Sequence, residues 1–124
     1  MFKGNITALV TPFTEQGDID LEAFDRLVDF QLQQGSDGLV IAGTTGESTA
    51  LLEDEFTALL GRAVERIDGR LPVIAGTGGA ATGRTIGQTL LAAELGVDLT
   101  RQKVLTREFL AYCLGCREKL SLQL

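Results

Sequence analysis

Short apolar runs and amphipathic stretches alternate along this chain. Asn5-Ile6-Thr7-Ala8-Leu9-Val10 is apolar and β-branched and is ended by Thr11-Pro12, which predicts a first strand. After a turn at Gln16-Gly17-Asp18, apolar positions recur at helical spacing in Leu21, Phe24, Leu27, Val28 and Leu32. Asp20 is the N-cap of that helix and Gly35 its stop. Gly38 to Ala42 predicts a second strand, which delivers the stretch Gly43-Thr44-Thr45-Gly46-Glu47-Ser48. A second helix follows, capped by Ser48 or Thr49, with Phe56, Leu59, Leu60, Ala63, Val64 and Ile67 on its buried face and Gly69 closing it. Pro72-Val73-Ile74-Ala75 reads as a third strand, apolar on both faces as parallel strands under helices are. Gly76 to Gly83 is a glycine-rich loop. The third helix runs from about Arg84 to Glu94, burying Ile86, Leu90, Leu91 and Ala93 and stopping at Gly96.

The predicted strands begin near residues 5, 38 and 72, a period of about 33 that suits repeated strand–helix units in an α/β fold. The pattern breaks near residue 98. A fourth strand is due, but Leu99-Thr100-Arg101-Gln102-Lys103 interrupts any apolar run. Residues 106–120 then read as a further helix, with Thr106 as cap and Phe109, Leu110, Cys113 and Leu114 on one side. In a parallel sheet the three strand ends, Thr11-Pro12, Gly43-Thr44-Thr45 and Gly76-Thr77-Gly78, lie on one edge, where α/β proteins bind their ligands. That edge is the candidate site.

Composition narrows the chemistry available there. At 124 residues the chain is one domain at most and long enough for a core. A formal charge of −6 and a pI near 4.5 leave no basic stripe for nucleic acid. No apolar run approaches the ~18 residues of a membrane span. Met1-Phe2-Lys3-Gly4-Asn5 lacks the charged and apolar regions of a signal peptide, so a cytoplasmic location is expected. The chain contains no histidine, which excludes Ser-His and Cys-His catalysis and removes the commonest metal ligand. Acid–base work falls to carboxylates, lysine, tyrosine or relayed hydroxyls.

Glycines on both sides of Thr44-Thr45 let backbone amides and two hydroxyls come close to a bound anion. The stretch lacks the Gly-Lys-Ser/Thr of a P-loop. One threonine hydroxyl can hold a carboxylate while the other relays a proton; a structural turn capping the next helix through Ser48 accounts for the same residues equally well. Gly76-Thr77-Gly78-Gly79-Ala80-Ala81 matches the G-x-G-x-x-A dinucleotide fingerprint, with Asp98 about 22 residues on. That fingerprint normally opens the first βαβ unit, whereas this one sits in the third, and Asp98 lies where a fourth strand begins rather than ends. A strand-to-helix loop is the better reading, and a small nucleotide-binding module the alternative. Cys113-Leu114-Gly115-Cys116 is a lone CxxC at the end of a helical pattern, read as two reduced thiols, with no metal or cofactor expected. Glu53-Asp54-Glu55 suits the first turn of a helix, where the dipole favours negative charge, better than it suits a cation site with Glu47.

Taken together, Ala8-Leu9-Val10-Thr11-Pro12-Phe13, Gly43-Thr44-Thr45-Gly46-Glu47-Ser48 and Ile74-Ala75-Gly76-Thr77-Gly78 resemble the first three strand ends of the dihydrodipicolinate synthase family. The resemblance covers residues 1–98, and residues 99–124 read as an unrelated helical tail of frameshifted or fused origin. It implies a (β/α)8 (TIM) barrel of which this chain carries about three βα units plus that tail, and a homo-oligomeric parent. It implies further that a lysine forms a Schiff base with pyruvate and that the enamine attacks aspartate semialdehyde, in lysine biosynthesis. By that resemblance Thr45 holds the pyruvate carboxylate and Thr44 relays protons between two tyrosines. The feedback-lysine site of some members falls near Ser48, Thr49, Glu53, Phe56 and Ala80; Phe56 and Ala80 lack the polar side chains of lysine-sensitive members, so feedback inhibition is not expected.

A full barrel takes about 250 residues. The family's Tyr-Tyr-Asn segment, due soon after residue 98, and its Schiff-base lysine are not matched here. Tyr112 is the only tyrosine, and Lys3, Lys103 and Lys119 correspond to no catalytic position. The expectation is a partial barrel inactive alone, with a non-catalytic interaction fragment as a further alternative, its exposed strand edges favouring oligomers or poor solubility.

Overall fold

The computed structural model describes residues 4–101. Seven elements alternate in the order β1 (Ile6–Ala8), α1 (Leu21–Gln33), β2 (Gly38–Ile41), α2 (Glu53–Ile67), β3 (Val73–Gly76), α3 (Thr82–Glu94) and β4 (Leu99–Arg101). The strands form one parallel sheet in the order β1-β2-β3-β4, so each helix is a crossover between neighbours. Consecutive strands side by side, all parallel, are the arrangement of a barrel segment, with a strand beyond the three units expected. The predicted 106–120 helix, Cys113, Cys116, Tyr112 and the three lysines lie outside the described residues.

The sheet has two faces with different tasks. Leu39, Ile41, Val73 and Ala75 point to the helices and join Phe24, Val28, Phe56, Leu59, Leu60, Ala63 and Ile67 in one buried core. Val40 and Ile74 form a separate small cluster, and their register places them in one row with Ala8 across the other face. That face, turned away from the helices, is the one a barrel closes around.

Polar devices fix where the elements start and stop. Asp20 Oδ1 accepts from Ala23 N at 2.8 Å, capping α1 as the sequence predicts. The cap of α2 is not Ser48 or Thr49. The chain continues irregularly to Leu52, and Glu55 Oε2 accepts from Leu52 N at 2.8 Å, so the acidic cluster lies in the helix's first turn. At the amino edge Gly35-Ser36-Asp37 and Gly96-Val97-Asp98 repeat one solution. Each glycine takes a positive φ, 76° and 84°, and each aspartate accepts from an amide at the start of the neighbouring strand, Asn5 N at 2.7 Å and Val73 N at 2.8 Å.

The buried face of α3 differs from the predicted one. Thr85, Gln88, Thr89 and Ala92 are buried, while Ile86, Leu90, Leu91 and Ala93 are half-buried. The hydroxyls of that face have internal partners: Thr89 Oγ1 donates to Thr77 Oγ1 at 3.0 Å, and Gly79 N donates to Thr85 Oγ1 at 3.1 Å. Satisfied hydroxyls are tolerated inside where bare ones are not.

Between α1 and α2, Arg62 grips Asp25 and Arg66 grips Asp29, each through two guanidinium nitrogens. The hydrogen bond from Arg66 holds the Asp29 carboxyl below its ordinary value, with the charges of Arg66 and Arg70 acting in the same direction and desolvation opposing them. A carboxylate whose value is lowered by folding stabilises the fold above its unfolded value and loses that contribution as pH falls through the lowered one. Asp29→Asn is therefore expected to be slightly less stable than the unsubstituted chain at neutral pH, by the small margin of a solvent-exposed pair. The gap should narrow below about pH 4. Urea midpoints across the acid range measure this, and a gap that stays constant to about pH 2 contradicts it.

Candidate functional site

The carboxyl edge of the sheet collects the strand ends the sequence singles out. A cavity of about 260 Å³ opens there, lined by Ala8 from β1, Val40 and Gly43, Thr44, Thr45, Ser48 and Thr49 from β2 and its turn, and Gly76 and Gly78 from β3. Thr44 and Thr45 are exposed at its mouth, whereas Gly46 is buried beneath them.

The turn is built by closing the backbone on Gly43. Gly46 N and Ser48 N both donate to Gly43 O, at 3.1 and 3.2 Å, and Glu47 N donates to Thr44 O at 3.2 Å. The amides and hydroxyls of Thr44 and Thr45 have no acceptor or donor among the described residues. Two adjacent exposed residues of the cavity lining thus carry four hydrogen-bonding groups without an internal partner, an arrangement able to hold a carboxylate. Among the described residues no charged group lines the cavity.

Two backbone constraints place the turn. Ala42, at the exit of β2, is buried with φ at 52°, and Glu47 within the turn has φ at 56°, both in the left-handed region. Opposite Ala42 stands Gly76, where an added Cβ would lie 2.2 Å from Ala42 O and 2.6 Å from Gly43 Cα. β3 ends directly against the turn, and only glycine permits it. Neither constraint is visible from hydrophobic pattern; the Gly76 requirement leaves only the glycine itself as a signal.

The other sequence candidates fall elsewhere. In the loop after Gly76, Thr77 Oγ1 and Gly79 N are engaged internally, and the Asp98 carboxylate is occupied by Val73 N at the opposite edge of the sheet from that loop. That is not where a ribose-binding acid stands in a dinucleotide fold. Phe56 is fully buried in the core and Ala80 is exposed, while Ser48 and Thr49 belong to the cavity lining. Among the described residues no group of three or more acidic or cysteine side chains is positioned to hold a metal ion, and no helix is long and apolar enough to cross a membrane.

A family model, that of the dihydrodipicolinate synthetase family, matches residues 1–102. A 4-hydroxy-tetrahydrodipicolinate synthase of an Exiguobacterium species is 50% identical over 99 residues, which cover 80% of this chain and 34% of the relative. The crystal structure of dihydrodipicolinate synthase from Aquifex aeolicus superposes with a TM-score of 0.78 at 44% identity, over 82% of this chain and 34% of that one. A chloride-inhibited dihydrodipicolinate synthase from Acinetobacter baumannii, complexed with pyruvate, superposes with a TM-score of 0.84 at 30% identity, over 98% of this chain and 44% of that one. The chain spans about a third of the length of the curated relatives it matches.

The Ala42–Gly76 approach makes two opposite predictions for urea unfolding. Gly76→Ala should cost at least about 2 kcal/mol, since the new Cβ meets backbone that cannot swing aside. Ala42→Gly should be neutral or stabilising by up to about 1 kcal/mol, because relief of the left-handed strain outweighs the extra freedom glycine gives the unfolded chain. A tolerated Gly76→Ala would mean that the two backbones do not meet.

Proposed function

The chain belongs to the dihydrodipicolinate synthetase family, and from that premise we propose that it supplies the carboxylate-binding edge of a pyruvate-condensing site. The reaction is that of the family resemblance: pyruvate joins a lysine amine as a Schiff base, with loss of water, and the derived enamine attacks the aldehyde carbon of aspartate semialdehyde. Thr45 and its amide hold the pyruvate carboxylate, and the Thr44 hydroxyl relays protons. One observation carries this reading: three parallel strand ends bound a cavity at whose mouth the amides and hydroxyls of Thr44 and Thr45 are unengaged among the described residues. The Acinetobacter baumannii relative, whose structure was determined with pyruvate, supports the choice of ligand.

What this chain does by itself is narrower. Residues 4–101 contain no lysine, so the edge described here binds without a nucleophile of its own. Losing the nucleophile removes the covalent route altogether, and binding alone does not accelerate the chemical step. The reading takes residues 1–98, continued by β4, as the barrel portion, the residues beyond β4 as the tail, a cytoplasmic setting, and a homo-oligomeric parent.

Borohydride added to the purified chain with pyruvate is expected to leave its mass unchanged, and no condensation product with aspartate semialdehyde should accumulate. A stoichiometric adduct on Lys3, Lys103 or Lys119 would overturn the assignment. Ligand-observed NMR should detect weak pyruvate binding that Thr45→Val reduces by about tenfold, the loss carried by one hydrogen bond to a charged group.

A further inference from the structure

We propose that Thr11 is a positioning residue for the Gly43–Ser48 turn, holding the Thr44 backbone in place through the peptide between Gly46 and Glu47. The inference rests on reading that turn as a carboxylate cradle and names the residue that sets the cradle's shape. Thr11 lies past the end of β1 and is 6% exposed, unlike the two threonines at the cavity mouth. Its hydroxyl donates to Gly46 O at 2.7 Å, a buried contact between residues 35 positions apart.

The geometry runs from Thr11 to Thr44 through one rigid unit. The Gly46 carbonyl and the Glu47 amide belong to the same planar peptide. Thr11 holds the oxygen of that plane, and its N–H donates to Thr44 O at 3.2 Å. Glu47 takes a φ of 56°, a conformation that a non-glycine residue keeps only where its surroundings enforce it. Gly46 leaves no slack on the other side. A Cβ there would stand 3.0 Å from Leu9 O and 3.2 Å from Thr11 Oγ1, so the turn is seated against the end of the first strand. Leu9 is itself fixed, its amide donating to Val40 O at 3.0 Å. Removal of the Thr11 hydroxyl leaves a buried carbonyl without a donor and frees the peptide plane to rotate.

Thr11→Val, nearly isosteric, removes the hydroxyl, and Thr11→Ser keeps it. In the full chain, hydrogen exchange is followed over residues 46–48 and over the interior of α2, residues 56–63, with pyruvate binding read by ligand-observed NMR. Thr11→Val is expected to speed exchange over 46–48 by about tenfold, the factor carried by one lost buried hydrogen bond, and to weaken pyruvate binding comparably. Residues 56–63 should be unchanged, and Thr11→Ser should match the unsubstituted chain in both readouts. Equal acceleration over both segments would assign Thr11 to overall stability and overturn the inference, as would unchanged exchange over 46–48. If the unsubstituted chain binds no pyruvate while Thr11→Val still loosens only the turn, the cradle reading fails and the hold of Thr11 on the turn stands. If Thr11→Val does not fold, Thr11→Ser carries the test: a tenfold rise over 46–48 with the hydroxyl present overturns the inference, and exchange like that of the unsubstituted chain supports it.

Discussion

The close passage of β3 against the exit of β2 is the constraint on which the site depends. Gly76 completes β3 at the point where Ala42 turns the chain out of β2, and no side chain fits between them. Were the two exits a few ångströms further apart, the β2 turn would no longer share a cavity with Gly76 and Gly78. The left-handed Ala42 is the local cost of that passage, of the order of 1–2 kcal/mol. The apolar packing of Leu39, Ile41, Val73 and Ala75 against the helices offsets it many times over. Strain at the site is thus sustained by burial on the far face of the same strands.

The two edges of the sheet differ in how far their polar groups are satisfied. At the amino edge the repeated Gly-x-Asp pattern leaves little unsatisfied: Asp37 and Asp98 each accept an amide from the neighbouring strand. At the carboxyl edge the turn closes on Gly43 O and leaves the groups of Thr44 and Thr45 unengaged among the described residues. Parallel strands all deliver their carboxyl ends to one edge, so each βα unit adds one exit to the same cavity. The fold concentrates unspent hydrogen-bonding capacity there without any single unit encoding a site.

What could be read from the sequence followed the strength of the local signal. The buried face of α2 was legible because Phe56, Leu59, Leu60, Ala63 and Ile67 are apolar and strictly periodic. The face of α3 was misread because its buried positions are largely Thr85, Gln88 and Thr89, whose burial depends on partners in the loop after β3. β4 escaped notice for a related reason. Leu99-Thr100-Arg101 has no apolar run, and its strand is defined by backbone pairing with Ile74, Ala75 and Gly76. Within the site, glycine spacing pointed to Thr44 and Thr45. The left-handed Ala42, the seat of Gly46 and the reach of Thr11 are contacts between distant segments, on which local pattern is silent.

The same geometry limits what the cradle accomplishes alone. A carboxylate held by exposed amides and hydroxyls exchanges bonds to water for bonds to protein, with a small net gain per bond. Such a site becomes strong when water is excluded, because each hydrogen bond then acts in a low dielectric. Thr44 and Thr45 stand at the mouth of a cavity bounded here by strand ends from one side of a barrel-like sheet. On the proposed reading, orientation is what this edge contributes: it fixes one end of a small keto acid so that the other end points across the cavity. Orientation accelerates a reaction only when a reactive group waits at the far end within bonding distance. On that reading the described edge is one wall of a catalytic site, and its value to a reaction lies in how firmly the turn holds its two threonines.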